Sequence, residues 1–422
     1  MITINTFLSV FLFVLMAGFS MELWLEWINA GYMKNSAGRI PVMLQDMVDE
    51  AKLRKMVAYN LDHTEAGIFY GITGKIVFLF IILSGILPWL ANRIENMNFI
   101  PAGLIFFAFP ALIESIIHLP FDYYQIFVIE ERYGFNTRHL KIWISDFLKS
   151  LAVGTIVGGC LLCLVFIVIQ KSGNRWWFWS WLVFLGFQFV MIILYPKIIA
   201  PLFNKFRPIE NQVLAEKIQE LVIREGLKVE GIFQMDAGKR SRHTNAYFSG
   251  FGKTKRIVLF DTLLASHTED EIIAVLAHEI GHLKNGHIRK QFIGIGLISF
   301  VLFFLISRLL NWEVMYYSLG FNKNPVYVGL FLISILWSPF GILINPFFLN
   351  ILRKFEREAD EYAHALLKTS APLIRALKKM AVDNLSNINP HPLYVIFHYS
   401  HPAIMDRIAY LECLDRNIEK ED

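Results

Sequence analysis

Seven stretches of this 422-residue chain are long and apolar enough to cross a bilayer as helices, near residues 5–28, 67–91, 99–118, 143–170, 176–198, 291–311 and 326–349. A chain that places so much of itself in lipid is a mainly α integral membrane protein. Composition agrees: hydrophobic residues make up 55%, charged residues only 18%, and mean hydropathy is +0.45. Soluble domains carry about 25% charged residues. The 37 Phe and 10 Trp suit lipid-facing and interfacial surfaces. The first 20 residues lack the basic start of a signal peptide, and their apolar run continues through Trp24, so a retained span is expected. The stretch near 99–118 is the weakest span, because it holds Pro110, Glu114 and His118.

Charge gives an orientation. The loop after the first span carries Lys34, Arg39, Lys52, Arg54 and Lys55, and the loop after the third carries Arg132, Arg138 and Lys141. The alternate loops are poorer, with Arg93, then Lys171 and Arg175, then Lys323. The positive-inside rule therefore puts the N-terminus outside and both large hydrophilic segments in the cytoplasm. The expected organisation is 1–198 for spans one to five, 199–290 for a first cytoplasmic segment, 291–350 for spans six and seven, and 351–422 for a second cytoplasmic segment. The net charge of +4 is accounted for by these loops and calls for no nucleic-acid partner. Cys160 and Cys163 have C-x-x-C spacing but lie in a spanning run, so they read as packing residues; with Cys413 they form no disulfide framework.

Within 199–290, a helix is expected near 208–225, ended by Gly226. Strand-like runs follow at 231–235, 245–249 and 256–260, the last two flanking the turn GFGKTK as a hairpin. Thr268 and Glu271 then form a capping-box pattern that starts a second helix. That helix carries His278-Glu279-Ile280-Gly281-His282. Residues four apart share a helix face, so His278 and His282 can hold one metal ion, with Glu279 beside them as a base for an activated water. Catalytic zinc commonly takes three protein ligands. An H-E-x-x-H-x-x-G-x-x-H extension fails here at Asn285 and Ile288. His287 lies about 140° round the same helix from His282 and is expected to be an exposed or interfacial histidine. The other route is a carboxylate from a second helix. In RKFEREADEYAHALL, residues 353–367, Glu356, Ala359, Asp360 and Ala363 share a face. The two alanines allow close approach, Glu356 could reach zinc, and Asp360 could hold the free ring nitrogen of a ligand histidine. Counting from Glu279 and Glu356 to the nearest spans puts the centre close to the membrane surface.

HEIGH followed by E-x-x-A-D resembles the M48 family of integral-membrane zinc metallopeptidases, and within it the Ste24-type CaaX prenyl protease branch. FVIEERYGFN (127–136), PLFNKF (201–206), NAYFSGFGKTKRIVLFDTLL (245–264) and SHPAIMDRIAYL (400–411) extend the resemblance over nearly the whole chain. It implies seven helices enclosing a hydrated chamber, with a gluzincin-type α+β protease domain at the cytoplasmic end. Glu22, Glu26, Glu114 and His118, ionisable groups within apolar sequence, are candidates for a chamber wall or for pairing near helix ends. The resemblance implies one zinc ion held by His278, His282 and Glu356, Glu279 as general base, and Asp360 behind the ligands. His401 and Arg407, in an HP-x4-R pattern, are implied as groups that stabilise the oxyanion or position the catalytic residues. Asn245, Ala246 and Tyr247 are implied as the edge that holds an extended substrate.

The function expected is zinc-dependent endoproteolysis of membrane-associated substrates, by a monomer, most directly C-terminal CaaX processing of prenylated proteins. A broad quality-control protease with the same catalytic residues is the alternative. A non-catalytic seven-helix receptor, transporter or scaffold is the different-class alternative. The C-terminal IEKED carries no ER-retrieval signal, and both a bacterial inner membrane and the ER membrane fit.

Overall fold

A computed structural model describes residues 2–36, 38–249 and 256–418. Six helices in it are long and apolar enough to cross a membrane. They are α1 (Thr6–Ser36), α2 (Glu50–Leu83), α3 (Phe99–Tyr133), α4 (Leu140–Lys171), α5 (Trp176–Leu194, with π and α turns to Phe203) and, after the first hydrophilic segment, a helix over His287–Leu309. The seventh span is broken. Val326–Trp337 and Gly341–Leu367 meet at a 70° bend, and together they satisfy the same length and hydropathy test.

Boundaries differ from the sequence expectation in instructive ways. The second span starts at Glu50, not near 67, because Asp49 caps it by accepting from the Lys52 N–H at 2.7 Å. Lys52, Arg54 and Lys55 therefore sit on that helix rather than in a loop. It ends at Ser84 because Gly85 takes φ +82, and the apolar residues to Ile94 form a separate short helix. Pro110 does not end α3, which runs on through a π-helical segment, Gln125–Glu130, to Gly134 at φ +85. Cys160 is exposed and Cys163 partly exposed on α4, and both are free thiols.

The hydrophilic segments add α6 (Gln212–Arg224), α7 (Glu269–Lys284), then α8 (His287–Leu309), α9 (Val326–Trp337), α10 (Gly341–Leu367), α11 (Ala371–Asp383), α12 (Pro392–His398) and α13 (Ile404–Ile418). Successive spans are neighbours: α1 packs on α2, α2 on α3, α3 on α4, α4 on α5, α5 on α8, and α8 on α9. The turn between α9 and α10 packs back on α1 and closes a ring. Three of the cavities among these helices have charged walls. One of about 490 Å³ is lined by Glu22, Lys75 and Glu114, one of about 530 Å³ by Asp62, His63 and His118, and one of about 460 Å³ by Glu22 and His398. Glu26 is paired instead, accepting from the Tyr394 hydroxyl at 2.9 Å.

Four strands form one sheet: β1 (Phe206–Pro208), β2 (Gly231–Met235), β3 (Ala246–Ser249) and β4 (Arg256–Phe260), in the order β1-β2-β4-β3. The β3–β4 pair is antiparallel, with Ala246 opposite Leu259. Its turn, GFGKTK, lies outside the described residues, as do the last four residues of the chain. β2 and β4 are parallel, which short-range pattern does not reveal. The helix expected from 208 begins at Gln212, capped by Asn211, because residues 206–208 pair with β2 as a strand. Leu214, Ile218 and Val222 of α6 pack with Ile257 and Leu259 of the sheet and with Ile272 and Leu276 of α7. α7 in turn packs on α10 and α11, so residues 206–290 and 351–418 make one body.

Candidate metal centre

α7 is fixed at its start by a complete capping box: Thr268 Oγ1 accepts from the Glu271 N–H at 3.4 Å, and Glu271 accepts from the Thr268 N–H at 2.9 Å. Its apolar side is buried against the sheet and α11, so the remaining face meets α10. The two helices touch at Gly281 and Ala359. A methyl group on Gly281 would lie 2.9 Å from Ala359 Cα, 3.0 Å from its carbonyl oxygen and 3.0 Å from Tyr362 Cβ. Two of these atoms are backbone, so nothing can swing aside. Gly281→Ala is expected to force the helices apart, costing about 1–3 kcal/mol of stability. A lowered thermal midpoint together with weaker zinc retention would register this, and a variant matching wild type in both would contradict it.

Across this contact, donor atoms of His278, His282 and Glu356 all lie within 4.8 Å of one another. His278 Nε2 and His282 Nε2 are 3.2 Å apart, and Glu356 places Oε2 3.4 Å from the first and Oε1 3.3 Å from the second. Glu356 Oε2 is buried and makes no hydrogen bond among the described residues. Two imidazole nitrogens facing each other beside an orphaned carboxylate oxygen fit a shared cation, and two histidines with one carboxylate are a zinc donor set.

Each ligand imidazole is held from behind. His278 Nδ1 donates to Asp360 Oδ1 at 2.8 Å, and Asp360 has no exposed surface. Arg407 grips the same carboxylate through Nε at 3.0 Å and Nη2 at 2.7 Å, while its Nη1 stands 3.7 Å from Glu356. Its guanidinium thus lies behind His278 and is occupied there. His282 is held by His287. Their Nδ1 atoms are 2.8 Å apart, and His287 Nε2 donates to Glu358 at 3.0 Å. His287 is 1% exposed and stacks on Phe355 at 4.2 Å. Of the expected exposed or interfacial histidine, the exposure is corrected: His287 is buried between His282 and Glu358. Gly286, at φ +65, ends α7 and redirects the chain, so His287 opens α8 instead of continuing the helix of His282. Glu358 thus has its partner at the centre as well.

Glu279 is partly buried beside the ligands. Burial, reinforced by Glu356, pushes its carboxyl above the usual range against the pull of His278 and His282. The Phe248 backbone beside this carboxylate opposes the rise slightly. β3 is an edge strand, as its place in the sheet order requires. Phe260 N–H donates to the Asn245 carbonyl, so by antiparallel alternation Asn245 and Tyr247 turn their peptide groups toward β4, and Ala246 and Phe248 turn theirs outward. Asn245 Oδ1 accepts from the Ala246 N–H at 2.8 Å. Sequence pattern passed over Phe248, because the register that turns it outward is visible only in the paired sheet. His401, 61% exposed at its side chain, places Nε2 3.3 Å from Glu356 Oε1 and Nδ1 2.9 Å from Ser400 Oγ.

The start of β3 is tied into the membrane ring. Asn384 Oδ1 accepts from the Thr244 N–H at 3.1 Å and faces His243 Nδ1 at 3.2 Å. His243 Nε2 is 3.3 Å from Glu130 of the π segment. Glu130 also accepts from Tyr59 at 2.7 Å and faces His63 at 3.0 Å, both on α2.

Residues 30–205 match a family model described as the CAAX prenyl protease N-terminal, five membrane helices, and residues 208–415 match that of peptidase family M48. A CAAX prenyl protease 1 homolog of Arabidopsis thaliana is 34% identical over 391 residues, 90% of this chain and 92% of that one. CAAX prenyl protease 1 of Saccharomyces cerevisiae is 33% identical, over 94% of this chain and 93% of its own. Among solved structures, the crystal structure of S. mikatae Ste24p matches with a TM-score of 0.88 and 31% identity, covering 97% of this chain and 100% of that one.

Proposed function

Because the chain belongs to peptidase family M48, in its CAAX prenyl protease branch, we propose that it is a zinc endopeptidase that trims the C-terminus of prenylated CaaX proteins. The observation that carries this reading is the convergence of His278, His282 and Glu356 beside Glu279, next to an open strand edge. One zinc ion per chain would be held by these three side chains. When bound, zinc supplies a Lewis acid that polarises a peptide carbonyl and lowers the pKa of water to about 7.

The chain's own groups do the rest. The outward-turned carbonyls of Ala246 and Phe248 accept from the substrate backbone and hold it extended along β3, the Ala246 N–H being taken by Asn245 Oδ1. Glu279 takes the proton of the attacking water and returns it to the leaving amine. His401, the exposed imidazole at the centre, donates to the carbonyl oxygen as it gains charge. Arg407 acts indirectly, fixing Asp360, which fixes the tautomer and tilt of His278. His287 and Glu358 do the same for His282.

The charge pattern of the loops supports a cytoplasmic location for the peptidase body. α8 begins at His287, in contact with a ligand, so the centre abuts the end of a span. A substrate anchored by lipid meets it there without leaving the membrane.

The test is cleavage of one C-terminal peptide, prenylated and unprenylated, by purified full-length chain in lipid. Cleavage of the prenylated peptide alone, or far faster, is expected. Equal cleavage of both would replace the CaaX reading with broad membrane proteolysis, and cleavage of neither would remove it.

A further inference from the structure

A cavity of about 640 Å³ lies between α4, α5 and α8, walled by Leu161, Met191, Ser249, Ile288, Phe292 and their neighbours. Two of these residues sit one step from the catalytic centre. Ser249 follows Phe248, whose backbone lies beside the Glu279 carboxylate. Ile288 follows His287, which touches the ligand His282 at 2.8 Å. The walls contain no charged side chain. The three other large cavities described above each include a carboxylate and suit water or ions instead.

We propose that this cavity holds the isoprenoid chain of the substrate while its peptide lies along β3. The proposal rests on the CaaX reading. There the isoprenoid is a thioether on the cysteine of the C-terminal motif, so the peptide segment presented to the metal centre carries the hydrocarbon with it. An uncharged cavity reaching the end of the same edge strand and the first turn of the adjoining span meets that requirement. Its volume falls within the range of about 300–1,000 Å³ of small-molecule sites. Its walls come largely from three spans.

The test uses full-length chain in phosphatidylcholine nanodiscs. A C-terminal peptide bearing a diazirine-substituted isoprenyl thioether is bound to wild type and irradiated, and the adducts are mapped by mass spectrometry. Labelling of residues 184–196 and 288–295 is expected. Labelling confined to the charged cavity around Lys75 and Glu114 would overturn the proposal. So would labelling of 184–196 and 288–295 by a diazirine phosphatidylcholine that the prenylated peptide fails to displace, since the cavity would then be a general lipid surface.

Met191→Asn and Phe292→Asn are expected to lower kcat/KM for the prenylated peptide about tenfold or more. Cleavage of the unprenylated peptide should be unchanged, and Phe292→Leu should retain most of the preference. Equal losses on both peptides would point to misfolding of the variants, and the adduct map on wild type then decides. A wild-type chain that cuts neither peptide yet labels at this cavity would sink the CaaX reading while leaving the isoprenoid site standing.

Discussion

Glu279→Gln is expected to lower kcat for peptide cleavage by about a hundred- to ten-thousand-fold, the usual contribution of a positioned general base, while zinc stays at one per chain. The amide keeps the size and the hydrogen-bonding reach of the carboxylate, so the Phe248 contact and the packing of α7 are preserved. What it loses is the capacity to accept a proton from water. The three metal-facing side chains are untouched, and so are the groups behind them. KM for the peptide should change little, because on the proposed reading β3, not Glu279, holds the substrate backbone. Metal content by mass spectrometry and single-turnover cleavage read the two halves separately. Activity within tenfold of wild type would move the base role to another residue, and loss of zinc would show that Glu279 is part of the metal's support.

Removing Arg407 should produce the largest loss of stability. Its guanidinium and the Asp360 carboxylate are both buried and joined by two hydrogen bonds, at 3.0 and 2.7 Å. Arg407→Met leaves the buried Asp360 carboxylate without its cation, with only the His278 Nδ1 hydrogen bond remaining. Breaking one side of such a pair costs about 3–5 kcal/mol. Arg407→Lys should rescue little, because an ammonium cannot supply the two-pronged fork. The double variant Arg407→Met/Asp360→Asn should recover part of the loss, since no charge is then stranded. Thermal unfolding in detergent measures the stability, and competition with a chelator measures how firmly His278 still binds metal. A lysine variant equal to wild type in both would mean that the pair is replaceable by simple charge.

The residues that proved legible in the sequence are those whose neighbours are set by local helix geometry. His278 and His282 share a face because they are four apart, and Glu356 and Asp360 do so for the same reason. Ala359 and Ala363 announced the close contact in which Gly281 takes part. Thr268 and Glu271 announced the helix start. What escaped depended on a single backbone turn or on pairing across long separations. One glycine in a left-handed conformation converted His287 from a residue on the wrong side of a helix into the support of a ligand. The parallel partner of β4 lies more than twenty residues upstream, with no helical crossover pattern to announce it. Phe248 became visible beside Tyr247 only once the register was known. Arg407, implied beside the reacting carbonyl or as a positioning group, stands behind His278 because α13 returns to pack on α10. The seventh span reads as continuous in hydropathy, and its bend lies at Ser338–Phe340, around Pro339.

The three side chains that would face the metal are drawn from α7 and α10, and between His282 and Glu356 the chain makes its sixth and seventh passes through the membrane. A cation bound to all three is therefore also a crosslink. It closes a polymer loop that contains two membrane passes, and such a closure restrains the open ensemble more as the loop grows longer. With that cation bound, the ring of helices would be fastened at that end by chemistry as well as by hydrophobic packing. Chelation would then act as mechanical loosening of the barrel wall as well as loss of a Lewis acid.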